Sequence, residues 1–128
     1  MVEARFAGDQ LILEMQGWDK VLALKDRLEI PTANIRKIKV GISDEDRLGM
    51  TDLRMLGTSI PGSVQAGIFR HNGQWVFWDV HNVNSANAVV IDLTGNPYSQ
   101  VVVEINDPSG LVRQFDQIAA DRDLHRLI

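Results

Sequence analysis

The sequence has 128 residues, 45% of them apolar and 23% charged, and 13 Lys and Arg against 17 Asp and Glu leave a net charge of −4. That length suits one domain, 1–128, with one core, and the charge balance excludes both a strongly basic nucleic-acid binder and a disordered polyanion. Cysteine is absent, which removes disulfides, thiolate metal sites and a cysteine nucleophile and fits a reducing compartment. Residues 1–8 lack the apolar centre of a signal peptide, and the longest apolar runs fall far short of the ~20 residues that span a bilayer. The expectation is a cytoplasmic protein with no integral membrane segment.

In chain order, residues 3–14 predict two short strands around Gly8-Asp9, with Leu11, Leu13 and Met15 alternating onto one face. Trp18, Val21, Leu22 and Lys25 then recur at helical spacing and predict a helix of two or three turns entered at Gly17, its apolar stripe facing the core. Leu28 and Ile30 alternate into a strand closed by Pro31, Thr32–Asn34 form a turn, and Ile35, Ile38 and Val40 begin a further extended segment. Basic charge concentrates here: residues 20–54 hold eight basic and six acidic side chains. Residues 41–62 follow neither period: Gly41, Gly49, Gly57, Gly62, Pro61 and the acidic run Asp44-Glu45-Asp46 mark them as one long irregular connection, which also contains Arg47, Met50, Arg54 and Met55. Loops of that length are uncommon in small domains and often functional.

The clearest local signal is Asn72-Gly73 between two apolar runs, a hairpin with a type I′ turn. Pairing about that turn sets Arg70 opposite Trp75, Phe69 opposite Val76, Ile68 opposite Phe77 and Gly67 opposite Trp78, and lets Arg70 stack on the Trp75 indole. Both faces of this hairpin are apolar, so something must cover the second. Residues 88–93 and 100–105 supply two more strands around a Thr94-Gly95-Asn96-Pro97 turn. Asp107 and Pro108 are an N-cap and first helical residue, and Leu111, Val112, Phe115, Ile118 and Ala119 give the following helix an apolar stripe. The fold class is mainly β, a small barrel or bent sandwich of about eight short strands with a short early helix and a C-terminal helix that caps the open end.

This order of elements resembles the pleckstrin-homology-like superfamily, and within it the small single-domain bacterial proteins. The likeness rests on Gly57-Thr58-Ser59-Ile60-Pro61-Gly62, Ala66-Gly67-Ile68-Phe69-Arg70, Phe77-Trp78-Asp79-Val80 and Val101-Val102-Val103-Glu104 running into Asp107-Pro108. It implies a bent antiparallel sheet closed by the last helix, a fold that hosts lipid, peptide and protein binders alike. Members that bind phosphoinositides resemble this chain in fold but carry basic residues between their first two strands. Here that turn is Ala7-Gly8-Asp9-Gln10, short and acidic, so an inositol phosphate site is not carried over.

Chemistry-bearing patterns are sparse. No phosphate loop or nucleophile elbow is present. Asp79 and His81 share a strand face, but a metal site there needs a third ligand from elsewhere, so neither a metal nor a cofactor is expected. The leading expectation is a non-enzymatic module that self-associates as a homodimer through the second face of hairpin 64–81, with Arg70, Trp75 and Phe77 at the contact. The alternative is binding of a small anionic or amphipathic ligand by the 41–62 connection through Arg47 and Arg54. A hydrolase built on Asp79 and His81 is the remaining reading, and nucleic acid is not an expected partner.

Overall fold

The computed structural model describes residues 1–49, 52–60 and 63–128; Met50, Pro61 and Gly62 of the sequence reading lie outside them. Alternating apolar residues shape the first third into a three-stranded antiparallel sheet of β1 (Val2–Ala7), β2 (Gln10–Met15) and β3 (Arg27–Pro31). Between β2 and β3 lies α1 (Asp19–Leu22), a single turn. The remaining strands are β4 (Ile35–Val40), β5 (Leu53–Ser59), β6 (Gln65–His71), β7 (Gln74–Val80), β8 (Ala88–Leu93) and β9 (Gln100–Glu104), followed by α2 (Pro108–Leu127). They form a second sheet in the order β4-β8-β9-β7-β6-β5. Among the described residues nine strands thus make two sheets, mainly β with one short and one C-terminal helix, and neither sheet closes into a barrel. A parallel bridge from Val2 to Ile105 joins the sheets at one corner.

The main core lies between the sheets. Leu11, Leu13 and Met15 of β2 and Leu28 and Ile30 of β3 meet Phe77, Val89, Ile91, Val101 and Val103, and α2 adds Leu111 and Phe115. Asp107 caps α2 as its sequence implies: its carboxylate accepts the Gly110 N–H at 3.0 Å, and Pro108 fills the first turn. The far side of the larger sheet holds a second core of Phe69, Val76, Trp78, Val80, Val90 and Val102, against which Ile42, Leu48 and Val83 pack.

Hairpin β6–β7 has the register its turn dictates, with Arg70 opposite Trp75 and Gly67 opposite Trp78. Asn72 and Gly73 take the positive φ angles of 51° and 76° that a type I′ turn needs. Three expectations are corrected. The 41–62 connection contains a strand, β5, hidden from a period-2 search because its exposed edge leaves no polar–apolar alternation and a bulge between Arg54 and Leu56 shifts its phase. The sheet is not wholly antiparallel: β9 runs parallel to β7, Val76 opposite Gln100 through Asp79 opposite Val103. Helix α1 is shorter than its stripe suggests and is turned the other way, burying Asp19 and Ala23 while Trp18 stands 77% exposed and Val21 faces solvent.

Gly57 and Gly67 pair across β5 and β6 with φ angles of +107° and +138°. A Cβ on Gly67 would meet the Leu56 carbonyl oxygen at 1.9 Å, a backbone contact that no rotamer change relieves. Gly67→Ala should therefore cost more than about 2 kcal/mol of unfolding free energy by urea titration, whereas Gly8→Ala, at positive φ in open space, should cost about 1 kcal/mol.

Candidate functional site

Three polar side chains meet at the rim of the main core, brought there by separate elements. Asp79 belongs to β7; because side chains alternate along a strand, it shares the core-facing side with Phe77 and lies opposite Ala66 on β6 and Val103 on β9. It is 1% exposed, and neither carboxylate oxygen has a hydrogen-bond partner. Asp19 opens α1 and is buried by the turn of that helix toward the sheet. His81 follows the end of β7, and its Nε2 donates to Asp19 Oδ1 at 2.5 Å, while the Met1 amino group bonds the other Asp19 oxygen.

Glu104, the last residue of β9, fixes this rim. Its buried carboxylate accepts the backbone N–H of His81 and, at 3.1 Å, that of Asn82, which sets the chain just after β7 so that the imidazole reaches Asp19. Burial opposes the charge on Asp19, but hydrogen bonds from the Met1 amino group and His81 outweigh it and hold that carboxyl below its usual range. Burial, and then the neighbouring Asp19 charge, push Asp79 up to about 8. Asp79 thus keeps its proton at neutral pH, beside a carboxylate that does not. Ligand atoms of Asp19, Asp79 and His81 all lie within 4.8 Å of one another.

The residues expected to carry function fare differently. Arg70 lies over the Trp75 ring, 4.7 Å from its centroid, and Trp75 is partly exposed, so this pair is accessible as read. Phe77 is not: at 0% exposure, against Tyr98 in the main core, it presents nothing to a partner. The expected contact face, with Val64, Ile68 and Phe77, is turned into the main core, and the opposite face, with Phe69, Val76, Trp78 and Val80, is covered by this chain's own Ile42, Leu48 and Val83. Arg47 donates to Asn84 Oδ1 at 2.6 Å and lies near Asp44, whereas Arg54 is on the exposed strand β5, so no common anion site is built from them. Asp19 is the participant missed in the sequence, where it reads as the solvent side of a helix whose stripe runs through Trp18 and Val21. Its partner His81 lies 62 residues away and the Met1 amino group 18, and no local pattern announces either.

Comparison with protein-family models, curated proteins and solved structures finds no match to this chain. The arrangement of Asp79 has a direct consequence for stability. A carboxyl raised from 3.8 to about 8 in the folded state binds its proton more tightly there than in the unfolded chain. Its contribution therefore favours folding below about pH 4 and is lost progressively as pH rises toward 8. Asp79→Asn should flatten that part of the stability profile and stabilise the protein at neutral pH, measured by urea unfolding at a series of pH values. Asp19, His81, Glu104 and the Met1 amino group, which face the same spot, remain in both proteins.

Proposed function

We propose that this chain is a non-enzymatic interaction module that pairs with a second copy of itself along strand β5. The observation that carries this reading is the asymmetry of the two edges of the larger sheet. Edge strand β4 carries Arg36, Lys37 and Lys39, with α2 packed beside it, the charged and covered edge that discourages further pairing. Edge strand β5 has a single charge, Arg54, and exposes Leu53 (62%), Met55 and Leu56. The Thr58 hydroxyl donates to the Leu22 carbonyl at 3.1 Å, which ties β5 to α1, and Trp18, Val21 and Leu24 in and beside that helix are exposed as well.

An apolar strand with unpaired backbone groups is a template for strand addition, and a two-fold axis lets one edge complete another with the same residues on both sides. Antiparallel self-pairing sets Arg54 against its own copy in just one register, so like charges do not oppose it elsewhere. Leu24 adds to the case: it holds a φ of +54°, uncommon for a branched residue, and uses it to place a leucine in solvent. The pleckstrin-homology-like reading belongs to this proposal too. It is supported by the strand-rich order ending in α2, whose Leu111 and Phe115 enter the core, and the fold it implies hosts lipid, peptide and protein binders alike.

The full chain should sediment as a dimer at tens of micromolar, and Leu53→Lys with Met55→Lys should return it to a folded monomer with an unchanged far-UV CD spectrum and a melting temperature that no longer rises with concentration, since both side chains are exposed. Leu24→Gly relieves the backbone strain and should weaken the dimer while leaving the fold at least as stable. A wild-type monomer at these concentrations, or a dimer indifferent to the lysine pair, overturns the proposal.

A further inference from the structure

We propose that Asp19, Asp79 and His81 form a binding site for a first-row divalent transition cation such as Zn²⁺ or Mn²⁺. It is independent of the β5 edge and shares no residue with it.

Two observations converge on the same spot. Two carboxylates and one imidazole, from α1, β7 and the segment after β7, bring their ligand atoms within 4.8 Å of one another. One of them, Asp79, is buried to 1% exposure with both oxygens lacking a partner. Buried carboxylate oxygens are normally satisfied by a donor or a cation, because leaving them bare forfeits their hydration without return. A proton on Asp79 satisfies one oxygen through a bond to Asp19 and leaves the other bare; a cation seated among the three side chains engages Asp79, Asp19 Oδ1 and His81 Nε2 together. Nε2 then gives up its bond to Asp19, the imidazole proton moves to Nδ1, and the present 2.5 Å contact opens to the spacing of two ligands each about 2.0–2.2 Å from one metal.

Charge and access agree with this. With the Asp79 proton displaced by the cation, Asp79 and Asp19 offset a divalent charge; the Met1 amino group on the other Asp19 oxygen subtracts from the negative potential of the rim, and the buried Glu104 restores it. Asp79 and Asp19 form the floor, while His81, its side chain 44% exposed, is the side open to solvent. By holding the backbone of His81 and Asn82, Glu104 orients the imidazole, which makes it a positioning residue for the site. The imidazole decides the class of ion. Ca²⁺ and Mg²⁺ take all-oxygen shells, whereas a nitrogen with two carboxylates suits Zn²⁺ and Mn²⁺, with water completing the coordination.

The test is calorimetric titration of the full chain with ZnCl₂ and, separately, MnCl₂, paired with melting curves, and MgCl₂ and CaCl₂ for comparison. The expected result is saturable binding of one equivalent of Zn²⁺ or Mn²⁺, a raised melting temperature, and no comparable effect of Mg²⁺ or Ca²⁺. Asp79→Asn and His81→Ala should each weaken binding at least about tenfold, and melting without metal shows that both variants fold. The double variant His71→Ala with His125→Ala should retain binding, which separates this site from the other two histidines. No saturable binding of either ion, wild-type affinity retained in Asp79→Asn and His81→Ala, or binding lost in a folded His71/His125 variant overturns the proposal.

Discussion

Three adjacent strands, β7, β8 and β9, are apolar on both faces, and this constraint governs the rest of the molecule. Phe77, Val89, Ile91, Val101 and Val103 point one way, and Val76, Trp78, Val80, Val90 and Val102 the other. Each such side chain is worth roughly 1.5–3 kcal/mol when removed from water, so neither face can be left bare. The small sheet β1–β3 and α2 cover the first. Among the described residues, the second is covered by Ile42 and Leu48 from the segment after β4, with Val83.

That cover is held by one buried carboxylate. Asp46 accepts from the Ser43 hydroxyl at 2.7 Å and from Gln100 at 3.1 Å, and pairs with Lys39 at 2.7 Å. Burial raises the cost of its charge, but the bonds from Lys39, Ser43 and Gln100 outweigh that cost and hold its carboxyl below the usual range. Segment 41–49 therefore has a structural task, closing a core through Ile42 and Leu48, and Asp46 of its acidic run anchors that closure. His71 adds to it by bonding Asp52 at 2.7 Å and the Glu45 carbonyl at 3.0 Å. Asp79 is the contrasting acid, equally buried yet given no donor, and the two show how little of a carboxylate's fate is decided by its own strand.

What could be read from the sequence follows the range of the interactions involved. The Asn72-Gly73 turn sets the β6–β7 register locally, and Asp107-Pro108 starts α2 through bonds within one turn, so both were legible. The double-sided hairpin correctly announced a second cover, though not that Ile42 and Leu48 supply it. Strand β5 escaped because its identity comes from pairing with β6, including the close contact of Gly57 with Gly67, and not from an alternation of its own. The orientation of α1 escaped for a related reason. Its apolar stripe is real, but the bonds of Asp19 to His81 and the Met1 amino group turn the helix away from it, and those partners are remote in sequence. The site at the rim is made entirely of such remote encounters.

The placement of β9 carries a consequence for how the chain reaches this state. Hairpin β6–β7 and the β8–β9 pair each close locally, over short turns, and are able to form early. Their union requires β9 to lie alongside β7 in the same direction, a seam between distant stretches that gains nothing until both partners exist. Ordering two preformed ribbons against each other is the slow event in such topologies, because the entropy of closure is spent before the contacts reward it. Until that seam zips, Trp78 and Val102 lack their neighbours. The late step in assembly is thus the joining of two halves, at the seam that runs down the middle of the sheet.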